Sequence, residues 1–125
     1  MSGIRIALAA AVAVAALLVP AAVQATASKT VLNGTVGPGF TITLKDASGH
    51  KVKKLKAGVY LFKVADKASI HSFVLERESG GTFEKAITSV GFTGTKTAVV
   101  TLKKGKWKFY CKPHESAMNG TFTVG

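Results

Sequence analysis

The chain has 125 residues, a formal charge of +11 and a single cysteine. That length leaves room for one domain beside a leader, in a chain whose residues are 47% apolar. A polytopic membrane protein, a disordered tail and a disulfide-stapled mini-domain are all excluded.

Arg5 precedes an uninterrupted apolar run, residues 6–19, followed by Pro20 and small residues. This is the pattern of a secretory signal, residues 1–25. Val23-Gln24-Ala25 and Ala25-Thr26-Ala27 both suit the small-x-small cleavage rule, which starts the mature chain near Thr26 or Ser28. Read instead as a retained anchor, the segment is at the lower edge of what spans a bilayer, roughly 18 apolar residues. Either way the domain, residues 26–125, is expected outside the cytoplasm: periplasmic, at the cell surface or secreted. An exported chain with one cysteine needs an explanation. Cys111 is a buried inert thiol, an intermolecular bridge, a nucleophile or a metal ligand.

Beyond the leader, short alternating or apolar runs recur, each closed by Gly, Asn, Asp or Lys-Gly. Strands are expected over Thr30–Val36, Phe40–Lys45, Lys51–Leu55, Val59–Ala65, Ile70–Arg77, Thr97–Leu102, Lys106–Cys111 and Thr121–Val124. Residues 79–95 mix Gly, Thr and Ser with scattered apolar side chains and read as irregular, with one helical turn at Glu84–Ile87. Eight short strands in about 100 residues predict an antiparallel sandwich or barrel, large enough to bury its own core.

The segment Cys111-Lys-Pro-His114-Glu-Ser-Ala-Met118 holds the lone cysteine and the one methionine beyond Met1. Cys-x2-His alone is a weak signal. Met118 nearby, Pro113 inside the loop and His71 at the head of another strand strengthen it. Two imidazoles and a thiolate in a trigonal set, with a weak axial thioether, make a blue-copper site. Thiolate and thioether are soft and stabilise Cu(I), whereas imidazole accepts both oxidation states. Zinc more often takes four Cys or His ligands, and Met suits it poorly. Pro113 fixes its own φ and pushes Lys112 toward an extended conformation, which stiffens the loop. His50 follows Gly49 in a turn and reads as a solvated surface residue. Trp107 and Phe109 read as core aromatics beneath the site.

Phe109-Tyr-Cys-Lys-Pro-His114 followed by Met118-Asn-Gly-Thr-Phe-Thr-Val124 resembles the cupredoxins, specifically the small plastocyanin-like blue copper proteins. Ile70-His-Ser-Phe-Val-Leu75 is similar to that family's first-ligand strand. The resemblance covers essentially the whole mature chain. It implies an all-β, eight-stranded Greek-key β-sandwich, with one copper ion held by His71, Cys111 and His114 and with Met118 axial. It also implies single-electron shuttling between larger redox partners. Three residues separate His114 from Met118, where plastocyanins usually have four and amicyanins two. Ser72 stands where cupredoxins usually have Asn, and a hydroxyl makes fewer hydrogen bonds than an amide. The plastocyanin tyrosine matching Tyr110 is exposed near a docking surface, and Tyr110 is expected to face away from the core.

No enzymatic activity is expected. Cys111 and His114 share one tight loop without an Asn or Asp to orient them for nucleophilic work, and three histidines cannot furnish the further copper sites of the oxidases. A copper-delivery protein that does not shuttle electrons is the alternative. Fifteen of the sixteen basic residues after the leader are lysines, concentrated at 51–56 and 103–112. They read as a solvated surface or as a docking face for acidic redox partners. Contact with an anionic membrane surface also fits. Nucleic acid does not, because no aromatic residues interleave a basic face. The protein is expected to be a monomer.

Overall fold

The computed structural model describes residue 3, residues 9–18 and residues 28–125. The expected cleavage positions, and most of the expected leader, lie outside these residues. Residues 9–18 form neither helix nor strand. No helix among the described residues is long and apolar enough to cross a membrane.

The domain is built from β1 (Thr30–Val36), β2 (Ile42–Lys45), β3 (Lys54–Leu55), β4 (Gly58–Asp66), β5 (Phe73–Arg77), β6 (Phe83–Thr88), β7 (Gly94–Leu102), β8 (Gly105–Tyr110) and β9 (Asn119–Val124). They form a four-stranded sheet in the order β2-β1-β4-β7 and a five-stranded sheet in the order β3-β9-β8-β5-β6. Both sheets are mixed: β1 with β4 and β3 with β9 are parallel, and the remaining pairs are antiparallel.

Period-two alternation explains the packing. Tyr60, Phe62 and Val64 of β4 point inward from one sheet, and Phe73 and Leu75 of β5 with Trp107 and Phe109 of β8 point inward from the other. The two inner faces close a single core that also takes in Cys111 and Met118. Phe73 and Phe109 stack at 5.8 Å with planes 1° apart. Gly120, paired with Phe109 across β8 and β9, is bare because that ring lies over it; a Cβ there would sit 2.2 Å from Phe109 Cζ.

Strand register defines two ends. Thr30 pairs with Tyr60, Gly58 with Leu102, and Val124 with both Leu55 and Gly105, so these residues share one end. Two-residue links, Lys56-Ala57 and Lys103-Lys104, cross between the sheets there. At the opposite end lie the loops 37–41, 67–72, 89–93 and 111–118, which carry all four residues expected to bind metal.

Nine strands form rather than eight. The additional one is β6, where a helical turn at Glu84–Ile87 is expected from sequence. Its first four residues are exposed or half-exposed, so no apolar alternation marks it. It forms because β5 supplies a hydrogen-bonding partner along Phe73–Arg77.

Candidate metal centre

The site is built from two stretches of chain 40 residues apart. β4 ends in Asp66, whose carboxylate accepts a hydrogen bond from the Ala68 amide at 3.3 Å. The His71 amide then donates to the Ala68 carbonyl. This turn delivers His71 to the end of the sandwich before β5 begins. A register shift between Phe73 and Val74, with the Phe73 amide on the Thr88 hydroxyl at 2.9 Å, bends the chain there. Such bulges re-aim side chains beside functional sites.

The second stretch closes on itself. Cys111 follows β8, and a single 3-10 turn spans Lys112–His114 with Pro113 near its start, where a missing N–H costs nothing. The Cys111 amide donates to the Met118 carbonyl at 3.0 Å, and the Met118 amide to the His114 carbonyl at 2.8 Å. Lys108 of β8 pairs with Glu115 at 2.6 Å, which raises the lysine's pKa, and the Asn119 amide group reaches the Glu115 carbonyl. The loop is therefore pinned from both sides before any metal enters.

The two stretches meet. His71 Nδ1 lies 3.2 Å from His114 Nδ1, and Cys111 Sγ lies 3.7 Å and 3.5 Å from them. A point equidistant from the three atoms is about 2 Å from each, the length of a metal–imidazole bond. Three lone-pair donors aimed at one point repel unless a proton or a cation sits between them. His71 and Cys111 are fully buried, and His114 alone reaches the surface. A cation of borderline softness fits this donor set, which mixes nitrogen with a thiol sulfur.

Met118 is fully buried and belongs to the same core cluster as Cys111. The three-residue spacing is accommodated, since the amide and carbonyl of Met118 are both bonded to the loop carrying Cys111 and His114. Ser72 braces the two stretches in place of an amide side chain. Its backbone N–H points at Cys111 Sγ at 3.4 Å, and its hydroxyl accepts from the Lys112 amide at 3.0 Å. That N–H gives the sulfur a hydrogen-bond donor and helps to fix its position.

Residues 18–125 match the family of copper binding proteins described as plastocyanin/azurin. The chain belongs to this family. Copper is thus the metal of this family, and the cluster of His71, Cys111 and His114 is compatible with one copper ion. No curated protein sequence matches the chain. Solved structures share the fold at low identity. The copper protein rusticyanin is 15% identical over 76% of each chain, with a TM-score of 0.52. A reduced rusticyanin structure is 17% identical over 76% of this chain and 78% of that one, at 0.51. Reduced auracyanin from the photosynthetic bacterium Roseiflexus castenholzii is 14% identical over 78% of this chain and 98% of that one, at 0.54. The all-β sandwich is accordingly of the cupredoxin class.

Three features of this cupredoxin site escape the sequence reading. Phe40, expected at the start of a strand, precedes β2 and lies edge-on to both imidazoles, 5.5 Å from the His71 ring and 4.9 Å from the His114 ring, while remaining 60% exposed. Only its place after Gly37-Pro38-Gly39 hints at this. Gly37 itself has φ +76° and sits against His71, where a Cβ would be 3.0 Å from the imidazole Cδ2. His71 Nε2 is buried with no hydrogen-bond partner among the described residues. Packing against Gly37 and Phe40 orients that ring. His50, as expected, is exposed beside Asp46 in a turn remote from this centre.

Tyr110 is not exposed as a docking residue. It stands outside the core cluster yet is only 5% accessible, because its hydroxyl donates to Glu84 of β6 at 3.0 Å. Burial first, then this bond, pushes the phenol from 10.0 up to about 12. Between those values the native chain keeps a proton that the unfolded chain releases, so stability falls as pH rises from 10 toward 12. Denaturant titrations of wild type and Tyr110→Phe across that interval should show this slope flattened in the variant. Equal slopes would contradict the assignment.

Proposed function

We propose that this is an exported type 1 copper protein that carries single electrons between redox partners. His71, Cys111 and His114 would hold the copper through Nδ1, Sγ and Nδ1, with the Met118 thioether as a further, weaker donor. Bound copper would cycle between Cu(I) and Cu(II). The observation that carries this reading is the triangle of donor atoms, already set to metal-bonding distance by two loops tied together through Ser72, the second closed on itself through Met118. Rigid donors that suit both oxidation states need little rearrangement on electron transfer.

The chain's own residues set the conditions of that transfer. Burial of Cys111 keeps water from the sulfur, and the Ser72 amide donates a hydrogen bond to it. His114 is the one partly exposed member, so electrons enter and leave through its edge. Phe40 lies against that edge, and Ile70 and Val90 are exposed on neighbouring loops of the same end. Lys67, Lys96 and Lys112 are exposed on or beside these loops, which favours a partner with an acidic rim around an apolar contact.

Voltammetry of the copper-loaded protein tests the proposal. A reversible one-electron couple with the metal retained is expected. Loss of copper on reduction, or transfer of copper to an apo-partner at fixed oxidation state, would favour metal delivery instead. In the same measurement Met118→Leu should keep the couple reversible and raise its potential by tens of millivolts, because a donor that helps the more highly charged Cu(II) is gone. Each tenfold change in the Cu(II)/Cu(I) affinity ratio corresponds to about 59 mV for one electron. An unchanged potential would remove Met118 from the ligand set.

A further inference from the structure

Most of the lysines are not where a redox partner of His114 would meet them. Lys29, Lys54, Lys56, Lys103, Lys104 and Lys106 are all exposed, and strand register places them at the end of the sandwich away from the metal centre. They occupy the entry to β1, the two links that cross between the sheets, and the first positions inside the flanking strands. Glu78 answers one of them, lying 3.9 Å from the Lys106 amine. The charge of this end is therefore strongly positive.

Its backbone is held firmly. The Tyr60 hydroxyl donates to the Lys56 carbonyl at 2.6 Å, the Trp107 indole N–H to the Lys103 carbonyl at 2.9 Å, and the Arg77 guanidinium to the Lys104 carbonyl. These side chains thus grip the lysine backbone while the amines stay in water. A fixed cluster of amines loses less entropy on meeting a charged plane than a flexible tail does. The chain also enters β1 through Lys29 and Thr30 at this same end.

From this placement we infer that the lysine end is a docking surface for an anionic phospholipid bilayer, which it meets with the copper centre pointing away into solvent. The spread of exposed amines over both inter-sheet links and the entry to β1 favours a membrane over a protein here. A planar array of headgroups answers several amines at once, and each lysine near such a surface contributes about a fivefold gain in binding. The metal end stays free for redox partners, so the two surfaces work at the same time. The inference stands apart from the copper chemistry, because its readout is membrane partitioning.

The test is sedimentation of the copper-loaded mature chain, residues 26–125, with vesicles of phosphatidylcholine alone or mixed with phosphatidylglycerol. Tighter binding to the anionic vesicles, weakened by salt, is expected. Replacing Lys56, Lys103 and Lys104 together by glutamine should weaken it roughly a hundredfold. The same charge change at the metal end, Lys67, Lys96 and Lys112 to glutamine, should leave it within a few-fold of wild type. These side chains are exposed, so an unaltered copper spectrum certifies the fold of each variant. Equal binding to both vesicle types, or equal losses in the two triple variants, would overturn the inference. Binding to soluble polyphosphate or to an acidic protein without binding to anionic vesicles would overturn it too.

Discussion

Copper-loaded Cys111→Ser should lack the intense blue absorption expected of the wild-type protein while keeping the sandwich folded. That colour comes from charge transfer between a thiolate and Cu(II), and Cys111 is the sole cysteine in the chain. A serine hydroxyl is harder, stays protonated at neutral pH, and cannot replace the soft ligand. The fold survives because the new hydroxyl faces the Nδ1 atoms of His71 and His114, at 3.7 and 3.5 Å from the present sulfur, and is not left without partners. Absorption spectra and far-ultraviolet circular dichroism on the same samples separate the two effects. A colourless wild type, or a blue variant, would contradict the role given to this residue.

The largest loss of stability is expected at the other side of the core. Trp107 is 1% exposed, packs against Phe83 and Phe122, and spends its indole N–H on the Lys103 carbonyl. Trp107→Ala removes that packing, leaves a cavity between the sheets and frees the carbonyl, a cost of about 3–5 kcal/mol. Much of the stability of a domain this size would be lost. Chemical denaturation reads the change directly. The copper spectrum of the remaining folded fraction should match wild type, since Trp107 pairs with Phe122 toward the end of the sandwich away from the metal-binding loops. A change below about 1 kcal/mol would mean that the core repacks around the gap.

The contrast between these two residues shows what the sequence made legible. Trp107 and Phe109 alternate on β8 and Cys111 follows just past its end in the same alternation, which assigns all three to one face. Chemistry-bearing residue types at short spacing marked 111–118, and a lone histidine before an apolar run marked 70–75. Their meeting across 40 residues of chain follows from the order of strands in the sheet, which side-chain periodicity does not encode. β6 escaped because an exposed edge strand has no apolar pattern to read. Phe40 and Tyr110 were misplaced for related reasons. The first precedes β2 and covers two imidazoles, and the second is buried by a carboxylate from the strand that periodicity missed. The lysines appeared as two clusters in sequence, and only the register of β3, β7, β8 and β9 gathers most of them at one end.

X-ray absorption at the copper edge tests the central claim most directly, because it counts the atoms around the metal. One short sulfur contact and two nitrogen contacts at about 2 Å are expected, with the sulfur lost in Cys111→Ser. A shell of nitrogen and oxygen without any short sulfur would contradict the account.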